Sequence, residues 1–420
     1  MPLPETNPRC FHVSASAISA LKACPQRFRL AYREGLRLTA DTDSQRMGTN
    51  WHSMHEVYAL HQGLATHAGG EEVDGGLAAV VEYLNQRYAQ MPTSKTAKEW
   101  ALEREILLIS FIGYLWYWQH DPVEVLASEV AFDLPLHAPR VGLPLPLKDV
   151  VRVGKFDHIV RWQGMVGCME RKSTSRSIAP DSDYWDKAKK DTQVSMYALA
   201  FRDLITSEGN DILSTAGIEF SMDDRPGNTL YDVWHKPTIK PAMLTQKETA
   251  EFIQTGEYCG QVFTLAVNYS GLGQPTIILD GSLLPNDVSL TVDGEIAEIE
   301  QGKRGFAIRE TVEMFGARLL TDIHTRPEFY YARKEIVRTD QEIRKFRFEL
   351  FNIYEMQRLF DKTGHWYENE QNCRATFPCS YIPICFGCGA DAACDGKTVP
   401  AGFKRIFVNP VLDAGLVTEE

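Results

Sequence analysis

The stretch Val151–Thr174, VRVGKFDHIVRWQGMVGCMERKST, decides how the rest of the chain is read. Val, Ile, Phe and Trp fill its two flanks and Gln163-Gly164 lies between them, which predicts two strands joined by a two-residue turn. With such a turn Trp162 faces Met165, and counting outward sets Asp157 opposite Glu170 and Lys155 opposite Lys172. Directly opposed residues share a face, with Cβ atoms roughly 4.5–5.5 Å apart. Like charges so placed repel unless something positive lies between them, and a divalent cation is the obvious occupant. Lys172, two residues beyond Glu170, belongs to that same face because side chains alternate along a strand. Met alone, a D…ExK pattern is more often a solvated face of mixed charge, so the surrounding chain has to supply the context.

With 420 residues and 44% hydrophobic content, the chain can form one large domain with insertions, or two domains, around a sizeable core. Its net charge of −12 argues against general coating of nucleic acid but leaves room for a local basic track. No signal-peptide pattern opens the sequence. The longest apolar run, Ile106–Trp118, is broken by Ser110 and Gly113 and is shorter than the ~20 residues a bilayer span takes. A cytoplasmic protein without membrane contact is expected. Nine cysteines, five of them between Cys373 and Cys394, then point to a metal or an iron–sulfur cluster rather than to disulfides.

Residues 1–12 read as a loose leader. From Ser14 or Ser16 a helix is predicted with Ile18, Leu21, Phe28 and Tyr32 on its apolar face, interrupted at Cys24-Pro25. Gly48 precedes a helix carrying His52 and Glu56 as i,i+4 neighbours, an order unlike the HExxH of zinc hydrolases. Gly69–Gly76 reads as a loop, and helices follow to about Gln119. Val123–Leu136 is a strand with Glu129 in an apolar frame, where a carboxylate is costly unless paired.

After the hairpin, Arg171, Arg176, Lys187, Lys189 and Lys190 supply a local positive track, and Gln193 and Tyr197 share one face of the next helix. Gly217–Pro241 reads as further strands with a turn at Arg225–Asn228. Residues 242–305 suit a helix and a β-rich insertion. From Phe306 the pattern is helical through Ile323, then strand, then a long helix whose Arg344, Lys345 and Arg347 form a solvated face.

The segment HWYENEQNCRATFPCSYIPICFGCGADAAC spaces its first three cysteines CxxxxxCxxxxxC, which is not a zinc-ribbon pattern, although Cys385 and Cys388 form a CxxC. Here the chain resembles the PD-(D/E)xK nucleases of the RecB/AddB type, in particular the phage exonuclease and CRISPR-adaptation members that carry an iron–sulfur cluster. The matching pieces fall in order: SALKACPQRF, GTNWH, Glu129 in the strand before the hairpin, GKFD and ERK as halves of the catalytic motif, QVSMY for the QxxxY helix, and CRATFPCSYIPIC. Phe156 replaces the proline often found before the aspartate. Cys388 and Cys394 are additional.

The resemblance implies an α/β, restriction-endonuclease-like fold, a mixed β-sheet flanked by helices. It divides into an N-terminal helical region (1–125), a nuclease core (126–240), an insertion (241–310), a C-terminal helical region with the cysteines (311–398) and a tail (399–420). It further implies Mg²⁺ or Mn²⁺ on Asp157 and Glu170, with His52 and the Arg171 backbone carbonyl as further ligands, and Lys172 orienting or helping to deprotonate water. Gln193 and Tyr197 would hold Lys172 or the DNA strand, and Glu129 is a supporting or metal-binding candidate. Cys24, Cys373, Cys379 and Cys385 would hold a structural 4Fe-4S cluster joining the two ends of the chain. The implied activity is exonucleolytic cleavage of DNA ends or single strands in recombination, replication or repair, phage-encoded, with a helicase or recombination partner in view. The alternatives are a nuclease subunit of a larger complex and a catalytically silent iron–sulfur scaffold that binds DNA.

Overall fold

Gln163 and Gly164 take φ of 50° and 70°, so both turn residues are left-handed, as a tight hairpin turn requires. The computed structural model describes residues 11–39, 42–62, 65–68, 71–139, 145–205, 210–219, 224–269, 288–301, 305–375, 378–388, 393–394 and 398–406. Residues 1–10 of the expected leader, 220–223, 270–287 of the insertion and 407–420 of the tail lie outside them.

Six strands form the central sheet: β1 Phe11–Val13, β2 Glu124–Ala138, β3 Leu145–Trp162, β4 Met165–Thr174, β5 Arg225–His235 and β6 Tyr331–Ile336. The sheet is mixed, since β1 runs parallel to β3 and β4 parallel to β5, while β2/β3, β3/β4 and β5/β6 are antiparallel. The hairpin register follows the two-residue turn, from Trp162↔Met165 to His158↔Met169.

Helices cover both faces. One layer holds α1 Ala15–Ala23, α4 Thr192–Ile205 and α6 Asp340–Thr363, which share a core with Phe132, Phe156 and Ile159 of the sheet. The other holds α2 Asp43–His61, α3 Ala97–Tyr117 and α5 Val312–Thr325, packed through Trp51, Phe111 and Phe315 against Trp234 and Tyr331. Capping boxes start α2 at Thr42/Gln45, α3 at Thr96/Glu99 and α6 at Thr339/Glu342. The indole of Trp51 stacks on that of Trp234 with centroids 4.2 Å apart, fixing α2 against β5. No helix among the described residues is long and apolar enough to cross a membrane.

Several boundaries differ from the sequence expectation. Gly48 lies inside α2, where a Cβ would come 3.3 Å from Ser173 Oγ, so it permits close approach to β4 and does not mark the helix start. Part of the expected leader is β1, and Gly69–Gly76 is not one loop: it overlaps the strand Glu71–Asp74, paired with Ala65–Ala68, and a helix begins at Gly75. Arg225–Asn228 opens β5 instead of turning. Its ladder with β4 shifts register between Val166 and Cys168, and Gly167 and Gly227 both make room for the Trp162 ring, 2.7 Å from where either Cβ would sit. Phe306–Ile308 is a strand, with the helix delayed to the Thr311 cap. Within the expected tail, Phe403–Arg405 pairs with Leu36–Leu38. Around the expected insertion, Leu244, Phe252, Leu290, Val292, Phe306 and Ile308 build a small core of their own that leans on α5 through Met314 and Ala317.

Candidate active site

A strand has two edges, and β2 occupies one edge of β3 over most of its length. The other edge is shared: β4 pairs with it only as far as His158, and β1 takes it over at Val150–Arg152. Between those stretches the sheet forks, and Asp157 and Glu170 are the first residues past the split. Phe156 and Ile159, three residues apart, belong to the same core, so the alternation of β3 slips by one around Asp157. Lys155 therefore does not oppose Lys172. It sits in the β2 ladder opposite Ala131 and ion-pairs with Glu129. A cleft of about 400 Å³ opens at the fork, bordered by Ser16, Ser19, Lys155, Asp157, Asp191 and Gln193.

Side chains from both helical layers meet there. From α2, His52 Nδ1 approaches Asp157 Oδ2 at 3.3 Å. From β4, the Arg171 N–H donates to the same oxygen at 2.8 Å. Lys172 Nζ donates to Glu170 Oε1 at 2.5 Å and to Gln193 Oε1 at 2.8 Å, while Gln193 Nε2 donates to Glu170 Oε1 at 2.6 Å. Glu170, Lys172 and Gln193 thus close a triangle. The Tyr197 hydroxyl donates to the Lys155 carbonyl at 2.9 Å, so it braces β3 and not Lys172. Glu129 lies between the ladder pairs Ser128↔His158 and Val130↔Phe156, across from Asp157, with a left-handed φ of 56° uncommon for a non-glycine residue.

Three residues outside the sequence-derived set support this arrangement. Asp191, directly before α4, accepts from the Gln193 N–H at 2.7 Å and from the Tyr231 hydroxyl at 3.2 Å. An Asp before a helical Thr-Gln pair is a capping signal legible in the sequence. Asp232 holds the Arg171 guanidinium at 3.5 Å and accepts from the Tyr114 hydroxyl at 2.5 Å, and Arg333 joins it at 3.4 Å. Arg171 is only 7% exposed, so its side chain is an anchor for β4 and no part of the expected basic track, whose Lys187, Lys189 and Lys190 are exposed. No linear pattern announces Asp232 and Arg333, because their partners come from distant elements.

Burial drives the electrostatics. Glu170 is 2% exposed, and burial, reinforced by Asp157 and opposed by Lys172, pushes its carboxyl up to about 8. Burial pulls Lys172 down, but Glu170 and Asp157 outweigh it and its pKa is raised, so it stays an ammonium. Burial lowers His52 against the pull of Asp157, favouring the neutral imidazole. Burial also raises Glu129, with Lys155 opposing.

Among the described residues no three His, Cys, Asp or Glu side chains stand at the spacing that would hold a metal ion. The donor set nevertheless fits a hard cation. Glu170 Oε2 is buried without a partner, two carboxylates face the fork, and a strand residue aims its C=O to the same edge as its N–H, which directs the Arg171 carbonyl there too.

The four cysteines expected to act together lie in one region, although among the described residues no three of them stand at metal-holding spacing. The thiols of Cys24 and Cys379 both raise that of Cys373, after burial, and burial, Glu368, Cys24 and Cys379 raise Cys385 to about 12. Asn369 stitches the group, donating its N–H to Cys24 Sγ at 3.4 Å while its carbonyl lies 3.8 Å from Cys373 Sγ. The Cys388 side chain lies outside the described set.

Between the ordinary carboxylate range and about pH 8, the folded chain keeps a proton on Glu170 that the unfolded chain has released. Stability therefore falls as pH rises through that window. In EDTA, the urea midpoint is expected to drop over that range and Glu170→Gln to flatten the drop. An equal slope in the variant would contradict this assignment.

A comparison with curated proteins yields no match. A family model described as the PD-(D/E)XK nuclease superfamily matches residues 12–386, a span that holds the β3/β4 hairpin, both helical layers and Cys24, Cys373, Cys379 and Cys385. Nucleases of this superfamily typically use Mg²⁺ or Mn²⁺ and act on DNA. On a match over most of its length, with Asp157, Glu170 and Lys172 converging at the sheet's fork, the chain belongs to the PD-(D/E)XK nuclease superfamily.

Proposed function

We propose that the protein is a metal-dependent exodeoxyribonuclease that hydrolyses phosphodiesters at DNA ends in recombination, replication or repair, beside a helicase or recombination partner. The observation that carries this reading is the buried Glu170 beside Asp157, with an oxygen left unpartnered in the fork. A silent DNA-binding scaffold has no physical need for two such carboxylates.

Asp157, Glu170, the Arg171 carbonyl and His52 would hold Mg²⁺ or Mn²⁺, which when bound supplies charge stabilisation at the scissile phosphate and acidifies water. The chain's own residues do the remaining work. Lys172, held as an ammonium by Glu170 and Gln193, presents positive charge where negative charge grows on the phosphate oxygens. Water's oxygen bonds to phosphorus, the bond to the leaving sugar oxygen breaks, and a proton moves from the water to that oxygen. His52 and the Arg171 N–H keep Asp157 oriented, and Tyr197 keeps β3 from closing the fork. The cleft, bounded on two sides by helices, suits one strand entering from an end.

Asp157→Ala and Lys172→Ala are each expected to lower degradation of linear DNA in Mg²⁺ or Mn²⁺ at least about a hundredfold, with closed circles resistant in the wild type. Full activity in Asp157→Ala would remove the site, and cutting of closed circles would replace exonuclease with endonuclease.

We further propose a 4Fe-4S cluster on Cys24, Cys373, Cys379 and Cys385 as a structural clamp, on the cysteine spacing of the C-terminal segment and the influence of Cys24 and Cys379 on Cys373 and Cys385. Burial and the neighbouring charges favour the protonated thiol at Cys373 and Cys385, and iron would reverse that balance. Cys24→Ala is then expected to lose brown visible absorbance and solubility together. Retained absorbance in a folded variant would contradict the assignment.

A further inference from the structure

Arg338 lies between β6 and α6 and is only 4% exposed, yet it forms no salt bridge among the described residues. A buried guanidinium is costly unless its donors are met, and these go to main-chain carbonyls and one hydroxyl. Nε donates to Ser195 Oγ at 3.0 Å. One terminal nitrogen donates to the Val337 carbonyl at 3.1 Å, and the other to the carbonyls of Asp191 at 3.3 Å and Ala188 at 3.4 Å. Ala188, Asp191 and Ser195 belong to one turn of chain, which ends the short helix Asp183–Ala188 and begins α4. That turn also serves the site. Asp191 and Gln193 border the catalytic cleft, whereas Arg338 does not. Asp191 Oδ1 accepts from the Gln193 N–H, and the Gln193 side chain holds Lys172 and Glu170. Arg338 is itself fixed at its backbone, donating its N–H to Asn228 Oδ1 of β5 at 3.3 Å and accepting from Arg202 of α4 at 2.6 Å.

We infer that Arg338 is a positioning residue for cleavage: by gripping Ala188, Asp191 and Ser195 it sets where α4 begins, and so where Gln193 places Lys172 against Glu170. The inference rests on the nuclease reading and adds to it a residue that acts through Gln193 without touching DNA or metal. Gln193 sits in the first turn of α4, where backbone groups lack intrahelical partners and a helix frays most readily. Its side chain nevertheless has to meet Lys172 at 2.8 Å and Glu170 at 2.6 Å together, and such a constellation tolerates displacement of only about 0.5 Å. Without the guanidinium the turn keeps its own hydrogen bonds, Asp191 N–H to the Ala188 carbonyl and Ser195 N–H to the Asp191 carbonyl. The chain stays folded, but nothing ties that turn to the β6–α6 connection. An arginine suits the task because its planar fork reaches the serine on one side and the two carbonyls on the other.

The test is steady-state degradation of linear DNA in Mg²⁺, with kcat and KM read separately for Arg338→Met and Ser195→Ala, each alone and combined with Gln193→Ala. Arg338→Met is expected to lower kcat about tenfold while KM for DNA stays within about twofold of the wild type. Ser195→Ala, which removes one acceptor and suits a helix, lowers kcat about threefold in the same way. In the Gln193→Ala background neither change adds a further loss, because residues that act through one another are not additive. General damage to the fold would instead lower activity by the same factor in both backgrounds. Wild-type kcat in both variants, losses that multiply with Gln193→Ala, or a change in KM alone would overturn the inference. Should Arg338→Met fail to fold, Ser195→Ala carries the same comparison by itself. Lost cleavage in Asp157→Ala beside wild-type kcat in Arg338→Met and Ser195→Ala discards the positioning role and keeps the nuclease reading; active Asp157→Ala discards the nuclease reading and this inference with it.

Discussion

Two adjacent carboxylates, one buried and one half-buried, cannot both carry charge without positive charge nearby, and much of this structure answers that constraint. Lys172 supplies one positive charge, Gln193 holds both Lys172 and Glu170, and the Arg171 amide and His52 hold Asp157. Lys172 compensates Glu170 only in part: the Glu170 carboxyl is still driven toward the protonated form by burial, and its second oxygen has no partner. A divalent cation is the species that would relieve both conditions, because it lowers the carboxyl's proton affinity while filling the oxygen's coordination.

The fold makes that arrangement geometrically accessible by forking the sheet. Had β4 continued to pair with β3 past His158, Asp157 and Glu170 would be side-by-side residues in a closed ladder, reachable from one face only. With the split, α2 delivers His52 from one layer and α4 delivers Gln193 and Tyr197 from the other. Each helix is held by packing beside the site: α2 by Trp51 on Trp234, and α4 by Phe201 in the core it shares with Phe156. Asp232 anchors Arg171 in the opposite layer, so the backbone amide that orients Asp157 is fixed by a salt bridge far from solvent.

Much of this was legible in the chain because it is local. The two-residue turn set the hairpin register, Ser14 did cap the first helix, and Cys24-Pro25 did interrupt it, with Cys24 extended and Pro25 opening the next helix. Non-local facts were not legible. Counting along an ideal ladder put Lys155 against Lys172, but the slip at Asp157 and the fork sent Lys155 to Glu129. Arg171 reads as surface charge until Asp232 arrives from β5, and Gly48 and Gly227 read as breakers until Ser173 and Trp162 show what they accommodate. The Phe11–Val13 and Phe403–Arg405 strands are too short to carry a period of their own, and only their partners, Val150–Arg152 and Leu36–Leu38, make them strands.

On this reading Asp157 and Glu170 form one cation site, with Lys172 beside it. Titration with Mn²⁺, following the loss of the free-ion electron paramagnetic resonance signal near neutral pH, tests it most directly. The wild type should take up Mn²⁺ at a site that is lost in both Asp157→Asn and Glu170→Gln. Mn²⁺ uptake equal in the wild type and both variants would contradict the account.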